Sequence, residues 1–202
     1  MSGMDNTTRR LLNLTRSRGL VRPRDLEPLA ISRIALTRAV RRGQLERIGR
    51  GLYGLPGREV SANGSLAEVA RRVPKGVICL LSALRFHDLT TQAPFEVWLA
   101  IENKAVAPKF DYPPLRIVRF SGAAFIEGIE EHVVDAVTIR VTSVAKTVAD
   151  CFKYRNKIGL DVALEALREA WQAKRMSSEE IWRFAKVCRV ANVMRPYLES
   201  IA

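Results

Sequence analysis

Apolar positions recur along the chain at helical and at alternating spacings, and the two can be told apart segment by segment. From Thr7 to Ser17, Leu11, Leu12 and Leu14 with their polar partners predict a helix. Gly19 closes it, because a residue without a side chain suits the left-handed conformation that ends helices. The run Val21-Arg22-Pro23-Arg24-Asp25-Leu26 predicts a short second helix entered through Pro23, since proline is tolerated in a first turn whose N–H has no partner anyway. Pro28 and Ala30-Ile31 break that pattern. Ser32 is the expected N-cap of a third helix, Arg33 to Arg42, stopped by Gly43. Leu36, Ala39 and Val40 face inward, which leaves Arg33, Thr37 and Arg41 on one outer face with Arg38 and Arg42 beside it. The alternating runs 44–48 and 52–55 around Gly49-Arg50-Gly51 predict a hairpin. Helix, short helix, capped arginine helix and hairpin are the parts of a winged helix-turn-helix.

A weakly patterned stretch from Pro56 to Ser65 marks the expected boundary between a first domain, residues 1–60, and a body, residues 65–202. The body opens with an amphipathic helix, Ser65 to Val73, stopped by Pro74. Val77 to Leu81 predicts a buried strand, Ser82 to Asp88 a short helix, and Phe95 to Ile101, Leu115 to Phe120 and Val137 to Val141 three further strands. From Thr142 the period turns helical: Val144 to Phe152, Leu160 to Ala173, Ser178 to Val187, and a last helix from Val190 to Ile201 bent near Pro196. Ser177 with Glu180 forms a capping box. The expected fold class is α+β: a winged helix-turn-helix followed by a mixed α/β domain, with an α+β part at 65–141 and a helical part at 142–202.

Charge sharpens this picture. The 202 residues carry a formal net charge of +12, and residues 1–60 hold thirteen basic and five acidic side chains, every basic one an arginine. Planar, bidentate donors concentrated in one segment point to polyanion binding rather than to a merely solubilising surface, which mixes in lysine and acids. A composition 48% hydrophobic and 27% charged excludes a disordered or collagen-like chain. No apolar run approaches the roughly 18 residues of a membrane span, and the polar stretch Met1 to Arg10 lacks a signal peptide's apolar region, so a cytoplasmic protein without a membrane partner is expected. Cys79, Cys151 and Cys188 are odd in number and far apart, which predicts buried reduced thiols.

Within the first domain, Arg33, Thr37 and Arg41 are the candidates for base edges, because arginine bonds both guanine acceptors and threonine reaches base edges or a thymine methyl. Ser32 is expected to touch a phosphate or cap the helix, and Arg38, Arg42, Arg47 and Arg50 are phosphate candidates beside the helix and at the hairpin turn. Tyr53 is expected to pack beneath the hairpin.

Catalytic patterns fare worse. Ser143-Val144-Ala145-Lys146 matches the S-x-x-K of penicillin-binding proteins, but neither S-D-N nor K-T-G accompanies it. Asp88 with Glu102-Asn103-Lys104 imitates the acid and E-x-K spacing of a magnesium-dependent nuclease, a common triplet that keeps a DNA-targeted nuclease as an alternative. His87 and His132 are far apart in the chain without ligand partners at metal spacing, and His87 is expected to bond locally at its helix end. No P-loop or dinucleotide fingerprint is present, and neither catalysis nor a cofactor is expected. Trp98 is expected in the core, as are Trp171 and Trp182, with a protein interface as the alternative for the latter two, while the acidic group Glu127, Glu130, Glu131 and Asp135 reads as a solvated loop.

Three stretches carry a family resemblance: the hairpin 43–53; Ser82 to Thr90 with Pro94 and the strand 97–101; and Val141 to Asp150. Through them the chain resembles the AbiEi-type antitoxins of type IV toxin-antitoxin systems, transcriptional regulators from phage-defence operons, with Lys146 standing where that family more often has arginine. The resemblance implies a winged helix that binds inverted repeats in its own double-stranded promoter DNA and represses the operon. It also implies a C-terminal antitoxin domain that counteracts a cognate nucleotidyltransferase-type toxin. A further alternative is a transcription factor whose body senses a small ligand.

Overall fold

The computed structural model describes residues 5–57 and 61–201. Arg58, Glu59 and Val60, inside the expected linker, lie outside the described residues, as do Met1 to Met4 and Ala202. The chain forms two compact units. The first comprises Met1–Arg72 with Val133–Thr138, and the second Val73–His132 with Ile139–Ala202.

In the first unit, α1 (Asn6–Arg18) is capped by Asp5, whose carboxylate accepts from the Thr7 amide, and closes at Gly19 with a φ of 64°. No Cβ fits there, because the Asp135 carbonyl oxygen lies against that position. The chain then departs from expectation. Leu20–Val21 is strand β1, and a 3₁₀ helix over Pro23–Leu29 follows, with Pro23 in its first turn and Ala30 left-handed at its end. Two strand residues carry no readable period, so the sequence pattern folds Val21 into the helix that only Pro23 begins. Helix α2 (Arg33–Arg41) follows, with Arg42 as its C-cap and Gly43 left-handed beyond it. Strands β2 (Glu46–Gly49) and β3 (Leu52–Gly54) form the hairpin, irregular between Arg47 and Gly49. β3 lies between β1 and β2, with Val21 and Arg47 both opposite Tyr53. Leu11, Leu12, Val21, Leu26, Ile31, Leu36, Ala39 and Leu45 form the core, and Tyr53 packs against it.

The sequence pattern divides the chain between Pro56 and Ser65, whereas the first compact unit continues through α3 (Gly64–Arg72). Polar contacts anchor that helix. Arg71 donates to the Asp25 carboxylate at 2.5 Å, Asp25 also accepts from the Arg22 amide, and the Arg22 guanidinium donates to the Arg71 and Arg72 carbonyls.

The second unit is built on a five-stranded mixed sheet, ordered β6-β5-β4-β8-β7. β4 is only Val77–Ile78, shorter than expected, because Leu80 turns left-handed and opens α4 (Leu80–Phe86) at once. β5 (Val97–Glu102) pairs antiparallel with β4 and parallel with β6 (Leu115–Phe120). Phe95, expected at the start of β5, lies before it and is exposed. The twelve-residue crossover that a parallel pair requires is held by Arg119, which donates to the Asn103 and Ala105 carbonyls at 2.6 and 2.8 Å.

A short helix α5 (Ala123–Ile126) precedes β7 (Ile129–Val134), and β7 turns through Asp135 and Ala136 into β8 (Val137–Thr142). Glu130 and Glu131 therefore sit on an edge strand rather than in the expected loop. Helices α6 (Val144–Lys153), α7 (Arg155–Ile158), α8 (Leu160–Gln172), α9 (Ser178–Val187) and α10 (Ala191–Ile201) complete the unit. α6 is buried from Val144 to Phe152 and packs against α4, α8 and α9. Trp98 is buried in this core, Trp171 and Trp182 pack against it, and all three cysteines are free and buried. Burial pushes the thiols of Cys79, Cys151 and Cys188 up from their ordinary values, which keeps them protonated and inert. No helix among the described residues is long and apolar enough to cross a membrane.

Candidate nucleic-acid interface

Helix α2 is amphipathic for a simple reason. Leu36 and Ala39 enter the core and Ala35 and Val40 pack against it, which turns the remaining side chains outward. Ser32, Arg33, Thr37, Arg38, Arg41 and Arg42 are all exposed. So are Arg47 on β2 and Arg50 in the hairpin turn, so every residue singled out in this segment of the sequence lies at the surface of one unit.

The exposed arc is not centred on the Arg33-Thr37-Arg41 stripe that the sequence suggests. At 100° per residue its middle falls between Ile34 and Arg41, two turns apart, with Thr37 and Arg38 between them. Arg33 stands at one border, next to Val40, and its guanidinium lies 3.8 Å from the Glu27 carboxylate of the 3₁₀ helix, both groups well exposed. Arg42 stands at the other border. Ser32 occupies the N-cap position, yet its hydroxyl makes no capping bond.

Several other arginines of this segment are engaged within the unit. Arg10 donates to the Leu29 carbonyl, Arg18 lies 3.7 Å from Asp25, and Arg22 is bound as described. Among the described residues, by contrast, the side chains of Arg38, Arg41, Arg42 and Arg50 meet no acceptor. Arg47 reaches only the Gly49 carbonyl, at 3.4 Å. The hairpin is braced from below. A Cβ on Gly49 would run into the Arg72 guanidinium, so α3 supports the strand that carries Arg47. The fold thus engages some arginines of this segment within the unit, chiefly at Asp25 and the Leu29 carbonyl, and leaves others outward, on α2 and the hairpin and also at Arg9 and Arg24.

Ile34 escaped the sequence reading. It is 61% exposed, and its spacing of three, four and seven residues to Thr37, Arg38 and Arg41 was the available signal.

The second unit offers no comparable site for chemistry. Among the described residues no three His, Cys, Asp or Glu side chains gather as metal ligands would. His87 does not bond locally: its Nε2–H donates to the Thr142 carbonyl across the unit at 2.7 Å, a partner fifty-five residues away that no local pattern announces. The two histidines, distant in sequence, have ring centroids 6.3 Å apart, with the Phe86 ring against both. His132 also lies 3.1 Å from a Glu130 carboxylate oxygen. Ser143 caps α6 in position only, its Oγ unbonded, and Lys146 is committed to Asp150. The S-x-x-K spacing therefore forms a helix start and a buried ion pair.

No curated protein matches the chain. Residues 9–56, which run from α1 through α2 and the hairpin, match the family model of the AbiEi antitoxin, a transcriptional regulator.

Proposed function

We propose that the first unit is a winged helix-turn-helix that binds double-stranded promoter DNA, with α2 in the major groove and the hairpin as wing. The observation that carries this reading is the concentration on α2 and the hairpin of outward arginines, Arg38, Arg41, Arg42 and Arg50, that meet no acceptor among the described residues. Thr37, Arg38 and Arg41 face base edges, while Ser32, Arg33, Arg42, Arg47 and Arg50 hold phosphates on either side. Because Arg33 is shared with Glu27, it serves better as a phosphate contact than as a bidentate base reader.

The family match over residues 9–56 supports a regulator of this kind. Under this reading the protein is a cytoplasmic, non-enzymatic antitoxin. It represses its own operon through promoter inverted repeats and neutralises a nucleotidyltransferase-type toxin through the second unit, a role that rests on the resemblance of residues 82–101 and 141–150.

A fluorescence-anisotropy titration of the full chain against the DNA directly upstream of its gene tests the first half. Promoter DNA should bind more tightly than a scrambled duplex, with log K falling by about 0.9 per phosphate neutralised for each log unit of salt. Arg38→Ala/Arg41→Ala should abolish the preference. Equal, weak binding to both duplexes would reduce α2 to a general polyanion face. Co-expression with the neighbouring toxin gene tests the second half. Growth rescued by wild type and by the double variant alike would separate neutralisation from DNA binding, and no rescue by either would remove the antitoxin role.

A further inference from the structure

We infer that Ile34 reads the 5-methyl group of a thymine and is a specificity-determining residue of the interface. The inference rests on the DNA-binding reading above and deepens it.

Ile34 lies in the middle of the exposed arc of α2, 61% exposed. Among the described residues from 5 to 72 no other large apolar side chain is so exposed. It takes no part in the core of its unit, so packing gives no reason for a branched apolar group there. Every other outward position of the helix is arginine or threonine.

Ile34 is the second residue of α2, and the N-terminal residues of a recognition helix are those that reach base edges. The edges of the major groove carry acceptors, donors and one apolar group, the thymine methyl. A sec-butyl side chain offers no hydrogen bond, so only that methyl gives it a favourable contact. Thr37 and Arg38, one turn further on, and Arg41, a second turn on, would then read neighbouring positions by hydrogen bonds.

Replacing single thymidines of the promoter duplex by deoxyuridine removes the methyl and leaves every hydrogen-bonding group in place. With wild type, one position in each half-site should weaken binding about fourfold, the value of one buried methyl-sized contact. Ile34→Ala should bind the thymidine and deoxyuridine duplexes equally at that position, and Ile34→Val should keep most of the discrimination. Arg41→Ala should bind both more weakly while preserving their ratio. The exposure of Ile34 means that Ile34→Ala should melt like wild type, so a folding defect is separable. If Ile34→Ala keeps the wild-type ratio at every position, or wild type ignores every replacement, the inference is overturned. If wild type shows no preference for the promoter over scrambled DNA, the DNA-binding reading itself fails, a distinct result.

Discussion

Lys146 Nζ lies 2.5 Å from Asp150 Oδ2, one helical turn apart on α6, and both side chains are sealed from solvent. The pair is further boxed in. Cys188 Sγ donates to the other Asp150 oxygen at 3.1 Å, and the ammonium stands 4.7 Å from the centre of the Phe120 ring. Burial pushes the Asp150 carboxyl up from its ordinary value and Lys146 pulls it back down, so the charged form depends on its partner.

Removing one member should therefore cost more than removing both. Lys146→Met leaves an uncompensated buried carboxylate and should lower unfolding stability by about 3–5 kcal/mol, whereas Lys146→Met/Asp150→Leu should recover most of that loss. Urea denaturation followed by tryptophan fluorescence reports on this unit alone, because Trp98, Trp171 and Trp182 all belong to it. A double variant no more stable than the single one would mean that the pair contributes by shape rather than charge.

His87 gives the second unit a dependence on pH. Burial holds its imidazole below the ordinary value. The bond to Thr142 and nearby Glu130 oppose that shift, and Arg175 and His132 reinforce it. The unfolded chain then binds a proton more readily than the folded one, so stability is full above the ordinary histidine range near 6.5 and falls as pH drops through it. Thermal melts at pH 7.5 and 5.5 should show the lower midpoint at acid pH, and His87→Gln should lose part of that difference. An unchanged difference in the variant would assign the effect to other groups.

Glu27 lies beside the face proposed to bind DNA. Its carboxylate engages Arg33 in an exposed pair of small intrinsic value, and it adds a negative charge beside the phosphates α2 would meet. Glu27→Gln should tighten promoter binding by roughly twofold to fivefold at low salt, with the gain shrinking as salt rises. Anisotropy titrations at two salt concentrations check this. Weaker binding would show that Glu27 positions Arg33 instead of competing for it.

Two glycines with nearly the same positive φ should respond differently to alanine. Gly19 and Gly43 have φ of 64° and 66°, but a Cβ on Gly43 meets nothing within 4 Å, while one on Gly19 collides with the Asp135 carbonyl. Gly43→Ala should cost about 1–2 kcal/mol for its left-handed backbone alone, and Gly19→Ala distinctly more. Chemical denaturation followed by circular dichroism measures the difference. Equal costs would mean that the turn at Asp135 yields without penalty.

What was legible in the sequence followed from local rules. The capping box at Ser177 and Glu180 places the start of α9, and the apolar stripe through Leu36 and Ala39 places α2 and its outward arginines. What escaped depended on partners distant in the chain. β1 is a strand only because β3 lies beside it, and β7 combines edge exposure with acidic residues that mimic a loop. Nothing near Arg22 or His87 tells that their partners are the end of α3 and the last residue of β8. Ile34 was hidden for another reason: the charged stripe beside it drew the reading of the helix face toward Arg33.

The segment 133–138 belongs with residues 1–72, although sixty residues of the second unit separate the two stretches. A ribosome delivering this chain exposes α2 and the hairpin early, yet the carbonyl that meets Gly19 emerges only with Asp135. Completion of the first unit must therefore wait until about two thirds of the polypeptide has been made. A fragment ending at residue 72 would lack a piece of the unit it was cut to contain.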